Sequence, residues 1–172
     1  MVYRSKKKKM NPKTEKSEIE RAKDTAFHFL SYRSRSSAEV KRKLEEKEFS
    51  PLTITRTLSR VKELCYLNDA DFAYTFARSA LENKQWGTLR IHDALLKKGV
   101  AQDIINQTLA ELSKECDLIQ VARRALEHKF THTPDRDAGE KTRQKVISYL
   151  RRKGFCWDII SAVINAGDKP LP

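Results

Sequence analysis

The chain has 172 residues, 35 of them Lys or Arg against 23 Asp or Glu, for a formal net charge of +12. That length can bury a core as one domain or as a short stack of modules, and five Gly with five Pro suit long helices joined by short turns and argue against a loop-rich β protein. Apolar stretches of a few residues cannot span a bilayer, and no apolar core follows the Lys-rich start as a secretory signal requires, so a soluble cytoplasmic protein is expected, with no membrane contact.

Residues 1–16 carry seven Lys/Arg against one acid and almost nothing apolar, and predict a disordered basic arm. A helix is predicted over about 18–32, with Ala26, Phe27 and Leu30 as its apolar stripe. Ser36-Ser37-Ala38-Glu39 has capping-box spacing and starts a second helix, on which Val40 and Leu44 lie one turn apart on the same face. Ser50-Pro51 reads as an N-cap with Pro at the first helical position, opening a third helix through Ile54 and Leu58. A further helix is predicted over 69–84, where Phe72, Ala73, Phe76, Ala77 and Leu81 form the stripe and Asn68 is placed to cap. Another is predicted over 115–130, on Leu118, Val121, Ala122, Ala125 and Leu126. The polar stretch 131–139 (THTPDRDAG) predicts a loop.

The segments after each of these stripes repeat. Val40–Val61, Ile91–Leu112 and Val146–Gly167 align without a gap, matching Val40 with Ile91 and Val146, and Leu44 with Leu95 and Leu150. Phe49, Val100 and Phe155 coincide next, then Ile54, Ile105 and Ile160, then Leu58, Leu109 and Ile164. Lys47, Lys98 and Lys153 share one position, and the residue after each is Glu48, Gly99 or Gly154, where a helix needs a left-handed cap. Glu48 is the less comfortable residue there, so the first turn is expected to differ. The fold expected is all-α: three tandem three-helix repeats over 17–63, 64–113 and 114–167, the last lengthened by the loop, with a tail at 168–172. A module this small buries little alone, so the repeats are expected to support each other in an elongated or curved array.

Charge follows the repeats. Residues 17–62 hold eleven Lys/Arg against seven acids and 113–172 hold twelve against eight, while 63–112 hold five against seven. A polyanion suits the basic ends. The first cluster is Arg33, Arg35, Lys41, Arg42, Lys43 and Lys47, for which a solvated face balanced by Glu45, Glu46 and Glu48 is an equal reading. The second is Arg143, Lys145, Arg151, Arg152 and Lys153, where no acid lies between Glu140 and Asp158 and phosphate contact is favoured. Trp86 and Trp157 are possible stacking residues, with Trp157 expected to pack as core or lid.

No catalytic constellation emerges, and no enzyme activity, metal or cofactor is expected. None of the five glycines is close enough to another for a phosphate-cradling loop. His128 and His132 have helical metal-pair spacing but no third ligand nearby and read as a surface pair, while His28 and His92 have no nucleophile at suggestive spacing. Asp69 and Asp71 fit the first turn of a helix, where carboxylates favour its dipole. Cys65, Cys116 and Cys156 form no CxxC pair and are expected to be reduced and mostly buried.

The stretch Ser31 to Leu44, a basic, Ser-containing turn followed by Glu39 and Lys43-Leu44, resembles the opening motif of the RecX family. Leu67 to Ala73 is similar to that family's second landmark, and Trp86-Gly87 to Arg90 to its Gly-centred turn. Lys98-Gly99-Val100 and Arg152-Lys153-Gly154-Phe155 resemble its repeated basic–Gly–apolar turns. The likeness covers about residues 20–165, with Glu48 as a departure. It implies a regulator of RecA, the bacterial recombinase that polymerises on single-stranded DNA. Such a regulator lies along the filament groove and curbs extension, ATP hydrolysis and strand exchange in homologous recombination, DNA repair and the SOS response. The partners implied are the RecA filament and single- and double-stranded DNA without strong sequence preference, met by a monomer. On this reading the basic first and third modules approach phosphates, while the middle module meets protein through Asp69, Asp71, Arg78, Trp86 and Arg90.

Two other readings compete. Residues 51–62, with Thr53, Thr55, Arg56 and Arg60, have the look of a recognition helix in a sequence-specific helix-turn-helix protein, although three degenerate copies fit one operator-reading helix poorly. A helical scaffold that binds only proteins is the other.

Overall fold

The structure is a computed structural model that describes residues 12–130 and 139–165, with side chains from residue 18. Among the described residues it contains nine helices and no strand: α1 (Pro12–Ser31), α2 (Ser37–Glu46), α3 (Pro51–Glu63), α4 (Asp69–Lys84), α5 (Thr88–Lys97), α6 (Gln102–Glu115), α7 (Leu118–Glu127), α8 (Glu140–Lys153) and α9 (Trp157–Asn165). None is long and apolar enough to cross a membrane. The chain falls into two compact units, one ending at Asn68 and holding α1–α3, the other beginning at Asp69 and holding α4–α9.

Every repeat is built alike, its first helix packed on its third: α1 on α3, α4 on α6, α7 on α9. The positions matched in sequence fill the cores. Val40, Ile91 and Val146 are buried, as are Leu44, Leu95 and Leu150, and Ile54, Ile105 and Ile160. Burying one such aliphatic side chain stabilises by about 1.5–3 kcal/mol. One more core position follows the same spacing. It holds Thr57 and Thr108 in the first two repeats and Val163 in the third, and the buried Thr57 hydroxyl has no hydrogen-bond partner.

The turn after each middle helix is the same Schellman turn three times. Phe49, Val100 and Phe155 donate their backbone N–H to Leu44, Leu95 and Leu150 at 3.3, 3.2 and 3.1 Å, and Glu48, Gly99 and Gly154 donate to the carbonyls three residues back. Gly99 and Gly154 take left-handed φ of 74° and 88°. Contrary to expectation, the first turn does not differ, because Glu48 adopts φ 59° and accepts the strain. The apolar residue that follows must reach the core, and that demand overrides the backbone preference of one exposed glutamate.

Local signals fix the other starts. Ser36 accepts from the Glu39 N–H and Glu39 from the Ser36 N–H, both at 3.1 Å, closing the capping box. Ser50 caps α3 ahead of Pro51, and Glu18 of α1 accepts the Ser50 N–H at 2.8 Å, which holds the Glu18 carboxyl below its usual pKa. Asp117 accepts from Ile119 and Gln120, so α7 begins at Leu118 rather than at 115. The first helix starts earlier than expected: α1 is helical from Pro12, inside the stretch assigned to a disordered arm. Residues 1–11, most of the 131–139 loop including His132, and the 168–172 tail lie outside the described residues. Cys65 is exposed, and Cys116 and Cys156 are half-buried, so none is the buried thiol expected of a small core residue.

Candidate nucleic-acid interface

The two basic clusters meet different surroundings. In the first, Glu39 gathers the arginines that precede the capping box, with Arg33 at 2.9 Å and Arg35 at 3.9 Å. Arg35 also lies over the Phe29 ring at 4.1 Å from its centroid, and its burial pulls its pKa down. On α2, Lys41 pairs with Glu45 at 3.8 Å and Lys43 with Glu46 at 2.9 Å. Only Arg42 and Lys47 of this cluster are exposed with no carboxylate in ion-pair range among the described residues. The balanced-face reading describes most of this ridge.

The third repeat presents the opposite case. Arg143, Lys145, Arg151 and Arg152 of α8 are all exposed, and no carboxylate among the described residues lies in ion-pair range of them. Arg151 stands 5.6 Å from the ring of Trp157, which is 54% exposed rather than a core residue or a lid. Beside them a groove of about 370 Å³ runs between α8 and the end of α7, lined by Lys129, Phe130, Lys145, Tyr149 and Arg152 among others. Lys129 and Phe130 follow the end of α7 while Tyr149 lies on α8, so no local pattern in the sequence joins them. Their only signal is that Tyr149 lies within the acid-free run and Lys129-Phe130 immediately before the polar loop.

Lys153 behaves differently from its neighbours. Its ammonium donates to the Lys84 carbonyl at 2.8 Å, and burial, with the Arg90 charge close by, lowers its pKa. It belongs to a joint between the second and third repeats. The Gly87 N–H donates to the Lys153 carbonyl at 2.8 Å, the Leu89 N–H to the Gly154 carbonyl at 3.0 Å, and Arg90 to the Arg152 carbonyl at 3.2 Å. Trp86 is held between Lys84 and Arg90, 4.7 and 4.4 Å from its ring. A Cβ on Gly87 would stand 2.2 Å from the Gly154 backbone, so only glycine admits this approach. Arg90, a protein-contact candidate, and Lys153, a phosphate candidate, thus each make a bond between the two repeats, while Trp86 packs beside Arg90 within the second. The other middle-repeat candidates lie on α4: Asp69 and Asp71 in its first turn and Arg78 paired with Glu82 at 2.9 Å.

The remaining sequence candidates find local roles. His28 contacts the Tyr32 hydroxyl at 3.2 Å, His92 contacts Gln102 at 2.7 Å, and His128 ends α7. Among the described residues no group of three His, Cys, Asp or Glu is placed to hold a metal. In the would-be recognition helix, Thr53 is buried and takes the Ser50 hydroxyl hydrogen at 2.9 Å, the Thr55 hydroxyl donates to the Pro51 carbonyl at 2.9 Å, and Arg60 pairs with Glu63.

Family models match all three repeats in order: the first three-helix domain of RecX over residues 22–60, the second over 68–109 and the third over 115–164. The chain belongs to the RecX family. The regulatory protein RecX of Chlorobaculum tepidum is 30% identical over 83% of this chain and 85% of its own length. That of Bacillus subtilis is 31% identical over 86% of this chain, and that of Listeria monocytogenes 28% identical over 85%. The chain spans about half the length of these last two, 55% and 54% respectively. The crystal structure of RecX from Lactobacillus salivarius shares the fold, with a TM-score of 0.74 at 22% identity over 87% of this chain and 96% of that one.

Proposed function

We propose that this protein binds the RecA–DNA filament and restrains its extension, ATP hydrolysis and strand exchange. On this reading it is a cytoplasmic, non-enzymatic regulator of recombination and repair that needs no cofactor. The observation that carries the reading is the match of all three repeats to one family of regulatory proteins. The acid-free run of α8 after Glu140 supports a DNA component, since cations with no carboxylate in ion-pair range among the described residues are able to displace counterions from phosphates. On this reading α4, which carries Asp69, Asp71 and Arg78, meets protein, and Arg42 of α2 with Lys47 at its end adds to the cationic surface. The burial of Thr53 disfavours the sequence-specific helix-turn-helix alternative.

The decisive experiment titrates this protein into the single-stranded-DNA-dependent ATPase of its cognate recombinase. A dose-dependent fall in ATP turnover is expected, and no change at saturating protein would overturn the proposal.

A further inference from the structure

The groove between α7 and α8 combines two features that phosphate contact alone does not require. Lys129 follows the end of α7, and Lys145 and Arg152 stand two turns apart on α8, so three cations border one opening with no acid lining it among the described residues. Its wall holds two aromatic rings, Phe130 and Tyr149, set edge to face with centroids 5.8 Å apart. The Tyr149 hydroxyl donates its one hydrogen to the Ala125 carbonyl at 3.0 Å, which fixes the ring. Its size falls within the range of small-ligand sites.

We propose that this groove takes one nucleotide of a single-stranded nucleic acid, its base against the Phe130–Tyr149 wall and its flanking phosphates on Lys129, Lys145 and Arg152. The inference deepens the DNA component of the proposed function and rests on it. Stacking on aromatic rings tolerates any base, because every base has a π-face, as a sequence-indifferent regulator needs. A duplex offers such a site only phosphates, because its bases stay stacked in the helix. An acidic peptide would satisfy the cations and leave the rings unused.

The test measures binding of the full chain to fluorescent oligothymidylate and to a duplex of equal length, by anisotropy across a salt series. Phe130→Leu keeps the apolar bulk and removes the ring, and helical signal and melting temperature confirm that it folds. It should weaken single-strand binding by roughly five- to a hundred-fold, the span of one base–aromatic stack, with little change in salt slope or duplex affinity. Lys129→Ala/Lys145→Ala should instead flatten the single-strand salt slope by about 0.7 for each phosphate no longer neutralised. Arg143→Glu/Arg151→Glu, outside the groove, serves as the comparison. If it weakens both nucleic acids while Phe130→Leu spares both or lowers both equally, the groove assignment falls and the DNA component stands. If neither nucleic acid responds to any of these variants, the DNA component falls with it. Displacement of oligothymidylate by poly-glutamate that depends on Phe130 would overturn the assignment in favour of an acidic peptide.

Discussion

The first and third repeats carry comparable clusters of cations, yet those cations meet different neighbours. Around α2 the acids sit three to six residues away on the same or the adjoining turn, and Arg33, Arg35, Lys41 and Lys43 are each paired. Along α8 the run between Glu140 and Asp158 holds none, and Arg143, Lys145, Arg151 and Arg152 project without a carboxylate partner among the described residues. A paired surface cation gains about 0–1 kcal/mol from its partner and has that much less reason to meet a phosphate. Equal cation counts therefore do not mean equal affinity for a polyanion; what matters is whether acids fall at helical spacing.

The largest expected effect tests that contrast directly. Reversing Arg143, Lys145, Arg151 and Arg152 to Glu should lower DNA affinity by on the order of a hundredfold at moderate salt and flatten its salt dependence. Reversing Lys41 and Lys43 should cost only a few-fold. Equal losses in filter binding would erase the distinction between the two ridges. Lys153 is left out of the set because its ammonium holds the Lys84 carbonyl.

Next in size is the joint, which the third repeat has and which depends on a glycine. Gly87→Ala would drive a methyl into the Gly154 backbone and should lower stability by about 3 kcal/mol, read from urea unfolding. A drop under about 1 kcal/mol would mean the close approach is readily relaxed.

The Schellman turns offer a smaller and opposite effect. Glu48 holds the left-handed conformation that Gly154 holds without strain, so Glu48→Gly should raise stability by about 1 kcal/mol. Destabilisation would show that the Glu48 side chain contributes something its exposed position does not reveal.

The smallest effect concerns pH. The Glu18 carboxylate is stabilised chiefly by the Ser50 N–H, which lowers its pKa below the unfolded value of about 4.3. Its contribution is therefore present above that value and is lost as pH falls through the lower folded pKa. Glu18→Gln should cost about 0.5–1.5 kcal/mol at neutral pH and leave acid unfolding of the first unit less steep, followed by circular dichroism. An unchanged acid profile would remove this cap from the account.

Much of the fold is legible in the sequence because repetition and period are local properties. The matched apolar positions, the capping box at Ser36 and Glu39, Ser50-Pro51, and the glycines at 99 and 154 each announce themselves within a few residues. The Glu48 turn defies its sequence because residue preference alone does not include the Phe49 burial that compels the turn. Trp157 belongs inside by the habit of large aromatics, but at the first position of α9 its ring projects beside Arg151.

The sequence by itself determined the helical repeat, its three copies and the acid-free run along α8, because hydrophobic periodicity and charge spacing act over one or two turns. Only the tertiary structure decided which cations remain available. It took packing between the second and third repeats to engage Lys153 and Arg90 in a joint, and packing of α7 beside α8 to bring Lys129 and Phe130 to Lys145, Tyr149 and Arg152. These contacts bridge residues far apart along the chain, so no local pattern encodes them.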